Sequence, residues 1–177
     1  MNRMLVKYAL LLSLAVGGAY LGYGIIHKIT HKKRVNERVA RLPAFRFTDL
    51  EGRPFTARHL KNKPTWLLYV DSGCEFCRME LRDIQKHQQQ LANVEVVLVS
   101  AEDRATLQKF QKEQGFDDLK NFHIVQDKTH ECHERLGMVS TPSSLLYDAQ
   151  GALIQRFSGV VKVEKIVSLL LQNPSML

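Results

Sequence analysis

The chain of 177 residues is 45% hydrophobic and 24% charged, enough for one globular domain with a real core plus an appendage. Its formal charge of +7 is unevenly spread, because residues 1–41 hold eight Lys/Arg and a single acid, Glu37, whereas 42–177 hold 17 basic and 17 acidic residues. The positive excess therefore belongs to the N-terminal tail, which excludes a basic, nucleic-acid-binding domain.

In chain order, the first predicted element follows a short flank, residues 1–7. From Tyr8 to Ile26 there are 19 residues without a charge, about the minimum for a helix crossing hydrocarbon. The stretch reads as an uncleaved membrane anchor. A cleaved signal peptide is the competing reading, with Arg3 and Lys7 as its basic end and small residues at Gly17, Gly18 and Ala19, but the apolar run continues through Leu21, Ile25 and Ile26. An organellar presequence fits less well, since the segment is too uniformly apolar. The flank after the span (Lys28, Lys32, Lys33, Arg34, Arg38) is more basic than the one before it, which by the positive-inside tendency favours a cytoplasmic domain; signal-sequence logic favours the opposite side. Residues 27–42 form a basic linker, and residues 43–177 the globular domain.

Within that domain, Ala44 to Thr48, the turn residues Asp49 to Pro54 and Phe55 predict two short strands. Trp66 to Val70 and Val94 to Val99 are apolar on both faces, as buried parallel strands are. Between them, Arg78 to Leu91 predicts a helix with Leu81, Ile84, Gln88 and Leu91 along one stripe. A second helix is expected over Asp103 to Gln114, ended by Gly115, then a short strand Phe122 to Val125 and a short helix Lys128 to Leu136. Ser143 to Tyr147, the turn Asp148 to Gly151, and Ala152 to Phe157 predict a hairpin, and Val163 to Leu171 a closing helix.

Cys74-Glu75-Phe76-Cys77 falls at the junction of the first buried strand and the helix after it. Thiolates, not thiols, attack disulfides, and unpaired N–H groups at a helix N-terminus stabilise a thiolate there. The spacing gives Cys74 the place of nucleophile and lets Cys77 resolve the mixed disulfide. A zinc site is the competing reading. It needs two more ligands, with Cys132, His123, His130 and His133 available. A C-x-x-C beside a βαβ pattern points instead to redox chemistry. Thr141-Pro142 is a candidate cis peptide, through which Thr141 would offer backbone groups to a substrate chain beside the dithiol. Glu80, one turn past Cys77, is placed to move protons or to disfavour a neighbouring thiolate; a solvated glutamate near Arg78 and Arg82 is the alternative.

The order of elements from Pro43 to Leu171 resembles the thioredoxin fold and, within it, the membrane-anchored TlpA/ResA-like thiol-disulfide oxidoreductases. Three motifs carry the resemblance: Cys74-Glu75-Phe76-Cys77, similar to that family's C-E-P-C with Phe76 in place of proline; Glu80, at the position of a family glutamate; and Thr141-Pro142 followed by Ser143 to Gly151, similar to its cis-proline loop. Gly73 stands where the family usually has tryptophan and Phe76 where it has proline, so both departures bear on potential and partner. The resemblance implies an α/β thioredoxin-like fold, a central mixed sheet flanked by helices, behind one N-terminal transmembrane helix. It also implies dithiol exchange with protein disulfides, reductive in the sense of the family, through Cys74, Cys77 and Glu80, with Thr141, Pro142, Gly73 and Phe76 at the substrate. No metal or cofactor beyond a redox-active Cys74–Cys77 disulfide is implied. Electrons would come from a membrane dithiol donor, and the domain would face the extracytoplasmic side of a bacterial inner membrane. A copper-binding metallochaperone of the same fold, using Cys74, Cys77 and a histidine, is the alternative. A one-cysteine peroxidase is weaker, since no Pro-x-x-x-Thr-x-x-Cys pattern precedes Cys74. Cys132 reads as a small core hydrophobe.

Overall fold

The computed structural model describes residues 7–8, 16–20, 22–24, 30, 33–60, 63–116 and 119–172. The chain divides into two compact units, Met1–Glu37 and Arg38–Leu177. In the first unit, residues 16–20, 22–24 and 33–37 are helical. Among the described residues no helix is long and apolar enough to cross a membrane; the rest of the expected 8–26 span lies outside them.

The second unit is built on a seven-stranded mixed sheet of strands β1 (Arg46–Asp49), β2 (Pro54–Thr56), β3 (Thr65–Tyr69), β4 (Glu95–Ser100), β5 (Phe122–Gln126), β6 (Ser143–Tyr147) and β7 (Leu153–Ser158). Their order across the sheet is β2-β1-β5-β4-β3-β6-β7. β4 pairs in parallel with β3 and β5, and the remaining pairs are antiparallel. Alternation of side chains splits the core in two. Trp66, Leu68, Val96, Leu98, Ile124 and Leu146 face one layer, while Leu67, Val97, Val99, Val125, Leu145 and Tyr147 face the other. Helices α1 (Glu75–Lys86), α2 (Arg104–Gln114) and α4 (Val163–Leu171) cover the first layer, with Leu81, Ile84, Leu107, Phe110, Ile166 and Leu170 buried against it. The short helix α3 (Glu131–Glu134) belongs to the second layer through Cys132.

Local chemistry explains where the boundaries depart from expectation. The dithiol helix starts at Glu75, three residues earlier than the hydrophobic stripe suggests, because Cys74 itself is the N-cap. It also stops early. The His87 ring nitrogen Nδ1 donates to the Asp83 carbonyl at 2.9 Å, competing for an acceptor within the helix, and a 3-10 turn, Gln88–Leu91, follows. That turn rotates Gln88 out to solvent while Leu91 remains buried, so Gln88 does not belong to the inner stripe. Helix α3 spans only Glu131–Glu134, since His130 adopts φ 55° and the buried Asp127 carboxylate accepts the N–H groups of Glu131 and Cys132. Helix α2 conforms to its signals: Asp103 caps it through the N–H groups of Ala105 and Thr106, and Gly115 ends it in the left-handed region at φ 64°.

Candidate functional site

The site lies at the C-terminal ends of the parallel strands β3 and β4, where open α/β sheets leave a crevice. β3 delivers the chain to a tight turn, Asp71 to Gly73, that starts α1. Asp71 holds that turn twice, its carbonyl accepting from Cys74 N–H (3.1 Å) and its carboxylate from Gly73 N–H (2.8 Å). Glu102, just past β4, accepts from Ser72 N–H at 2.8 Å and from the Ser72 hydroxyl, and Arg78 Nε donates to the Ser72 carbonyl at 2.8 Å. The dithiol is thus set on a turn pinned from three sides.

Cys74 Sγ accepts from the N–H of Cys77 at 3.3 Å and donates to the Thr141 carbonyl across 3.8 Å. An amide aimed at the sulfur shares negative charge left there when the thiol ionises. Cys74 is half-buried and Cys77 fully buried, both as free thiols. Burial pushes the Cys77 thiol well above the ordinary range, and its hydrogen bond with Cys74 adds to this. The two sulfurs therefore have unequal chemistry, one reachable and supported by an amide, the other withheld.

The Thr141-Pro142 peptide is cis, and the Pro142 carbonyl accepts from Gly159 N–H at 2.8 Å. The expected site residues Cys74, Cys77, Thr141, Pro142 and Gly73 are brought together here. Phe76, on the first turn of α1, is 65% exposed and presents its ring to solvent beside the cysteines. Glu80 is not the solvated glutamate of the alternative reading: it is fully buried, and its Oε1 accepts from Val161 N–H at 3.1 Å while Oε2 has no hydrogen-bond partner among the described residues. Burial pushes its carboxyl up to about 8; the Val161 N–H opposes the shift and the Asp83 charge adds to it.

The metal-binding alternative draws on residues that the fold separates. Cys77 belongs to one core layer and Cys132 to the other. His123 Nε2 is engaged with Glu95 at 2.7 Å, and the same carboxylate takes Lys63 at 2.7 Å. Cys132 packs as a core side chain, as expected, and burial and the Asp127 carboxylate hold its thiol far above the ordinary range. Iodoacetamide should accordingly modify Cys74 and leave Cys132 untouched in the folded chain, reacting with it only after denaturation. Peptide mapping after brief alkylation checks this.

Two contributors were invisible in the sequence. Glu102 acts on the dithiol turn from 30 residues away, and its only signal was a polar residue at the C-terminal end of a buried strand. Asp83, on the outer half of α1, accepts from Val163 N–H at 3.0 Å; nothing in its own neighbourhood distinguishes it.

Sheet, cis peptide and N-cap dithiol together define a thioredoxin-like oxidoreductase. The family model described as AhpC/TSA matches residues 40–156, and the chain belongs to that family. The thiol-disulfide oxidoreductase ResA of Bacillus cereus (strain ATCC 10987 / NRS 248) is 28% identical over 170 residues, covering 93% of each chain. Among solved structures, a thiol peroxidase from Chromobacterium violaceum superposes with a TM-score of 0.67 at 13% identity, covering 79% of this chain and 89% of its own. StoA from Bacillus subtilis does so with a TM-score of 0.58 at 22% identity, covering 73% and 98%. These two structures attest the fold.

Proposed function

We propose that the protein is a membrane-anchored thiol-disulfide oxidoreductase that reduces protein disulfides on the extracytoplasmic side of a bacterial inner membrane. The observation that carries this reading is Cys74 Sγ at the N-cap of α1, between the Cys77 amide and the Thr141 carbonyl. The Cys74 thiolate attacks one sulfur of the substrate disulfide, forming a mixed disulfide and releasing the other sulfur as a thiolate, which takes up a proton. Cys77 then loses its proton and attacks Cys74 Sγ, forming the Cys74–Cys77 disulfide and releasing the second substrate thiol. Two electrons and two protons pass to the substrate, and a membrane dithiol donor restores the reduced pair.

In this reading the Thr141 backbone pairs with the substrate chain beside Pro142, Gly73 leaves the approach open, and Phe76 contacts the incoming polypeptide. Glu80, one turn past Cys77, assists the movement of the Cys77 proton to solvent as Cys77 becomes the attacking group. The uncharged stretch 8–26 anchors the chain, 27–42 forms a basic linker and 43–177 is the catalytic domain. Reduction rather than oxidation follows the family likeness of Cys74-Glu75-Phe76-Cys77 and Glu80.

Expression of Cys77→Ala in intact cells is the test. It should accumulate covalent adducts that dissociate with dithiothreitol and contain proteins with exported domains. Adducts restricted to cytoplasmic proteins, or none at all, would overturn the reading.

A further inference from the structure

Two carboxylates one turn apart on α1 reach the same short segment. Glu80 Oε1 accepts from Val161 N–H at 3.1 Å, and Asp83 Oδ2 from Val163 N–H at 3.0 Å. Val163 is the first residue of α4, whose N-cap is Lys162. A lysine side chain carries no acceptor, and Lys162 makes no capping bond; the first turn of α4 receives its acceptor from Asp83 on another helix. Val161 and Val163 are themselves buried in the layer that contains Cys77, Leu81 and Ile84. The segment 161–163 is therefore tied to the dithiol helix at two points, of which Glu80 is the inner and Asp83 the outer.

We propose that Asp83 is a positioning residue for Glu80: it fastens the segment that gives Glu80 its hydrogen bond, and it sets a second carboxylate one turn away along α1. This rests on the reading that Glu80 takes part in dithiol chemistry. Helical neighbours three apart face each other, so the carboxylates interact along α1, and only Asp83, 29% exposed, has solvent to support its charge.

The titratable groups around this pair come from both packed elements. On α1, Cys77 lies one turn before Glu80, and His87 Nδ1 lies 3.3 Å from Asp83 Oδ1. From α4, Glu164 Oε1 lies 3.6 Å from His87 Nε2. The segment 161–163 itself meets Glu80 and Asp83 with backbone N–H groups. Asp83 thus stands between the buried Glu80 carboxyl and the more exposed His87–Glu164 contact.

Two variants separate the hydrogen bond from the charge. Asp83→Asn keeps an oxygen for Val163 N–H and removes the charge; Asp83→Ala removes both. In the reduced full-length chain in detergent micelles, the Glu80 carboxyl ¹³C titration should move to lower pH by about half a unit to one unit in Asp83→Asn. Amide exchange at Val161 and Val163 should stay within about twofold of wild type in Asp83→Asn and quicken by about tenfold or more in Asp83→Ala. An unchanged Glu80 midpoint in Asp83→Asn, or unchanged exchange at Val161 in Asp83→Ala, overturns the proposal. A purely structural role would change exchange and not the midpoint. If instead the reading of Glu80 is at fault, Glu80→Gln will turn over at the wild-type rate with both Asp83 effects intact, so the two failures are distinguishable.

Discussion

Cys74→Ser reduces the rate of disulfide reduction by roughly three orders of magnitude or more, the scale expected when a covalent nucleophile is removed. The hydroxyl that replaces the thiol meets the same Cys77 amide and Thr141 carbonyl, but one amide hydrogen bond cannot make an alcohol nucleophilic at neutral pH. Cys77→Ala has a different signature. The first attack by Cys74 remains, and what disappears is the intramolecular step that frees the substrate, so turnover stops at one mixed disulfide per chain. Stopped-flow reduction of a disulfide-bonded model protein, with mass spectrometry of the quenched mixture, distinguishes the two. Steady turnover by Cys74→Ser, or release of substrate by Cys77→Ala without added thiol, would refute the assignment of roles. The asymmetry follows from burial. Cys77 is fully enclosed in the first core layer, and its thiol is held well above the ordinary range by that enclosure and by Cys74, so it is withheld from external disulfides until one is bound to Cys74.

Where local chemistry decides the structure, the sequence is readable. Buried strands betray themselves as runs apolar on both faces, which is why Thr65–Tyr69 and Glu95–Ser100 stand within a residue or two of the expected Trp66 to Val70 and Val94 to Val99. Asp103 and Gly115 mark the ends of α2 because a cap and a left-handed residue are chemical requirements of helix termini. The dithiol and the Thr-Pro pair lie 67 residues apart and meet because the parallel β3–β4 order and the antiparallel β6 bring their ends together. What stayed hidden depends on tertiary placement. Glu80 is a polar residue on a helix whose back carries Arg82 and Lys86, and only the packing of residues 161–163 over it turns it from a surface group into a buried one. The truncation of the helix at Lys86 likewise turns on a single side chain, His87, folding back onto the Asp83 carbonyl, which no periodicity records.

The buried Glu80 carboxyl should make the reduced protein less stable as pH rises from about 4.5 to about 8. Unfolded, the group has an ordinary glutamate affinity, near 4.5; folded, burial raises it to about 8. Below both values the two states are equally protonated at this site and it contributes no pH dependence. Between them the unfolded chain has released its proton and the folded chain keeps it, so the unfolded state binds fewer protons and unfolding becomes easier with increasing pH. A separation of this size corresponds to a loss of roughly 4 kcal/mol across the window, a large share of the stability of an ordinary domain. Glu80→Gln supplies the control, because an amide of nearly the same volume stays neutral throughout and inherits the same surroundings: Val161 N–H at its oxygen and, among the described residues, no partner at the other terminal atom. Urea unfolding of the reduced full-length chain in detergent at pH 5 and pH 8 should show the midpoint falling for wild type and nearly level for Glu80→Gln, the variant being the more stable at pH 8. Parallel falls in the two proteins would assign the pH dependence to other groups. The same burial that holds the Glu80 proton in the folded chain makes its loss at alkaline pH costly, because the carboxylate that would form has one backbone N–H and little solvent to support it.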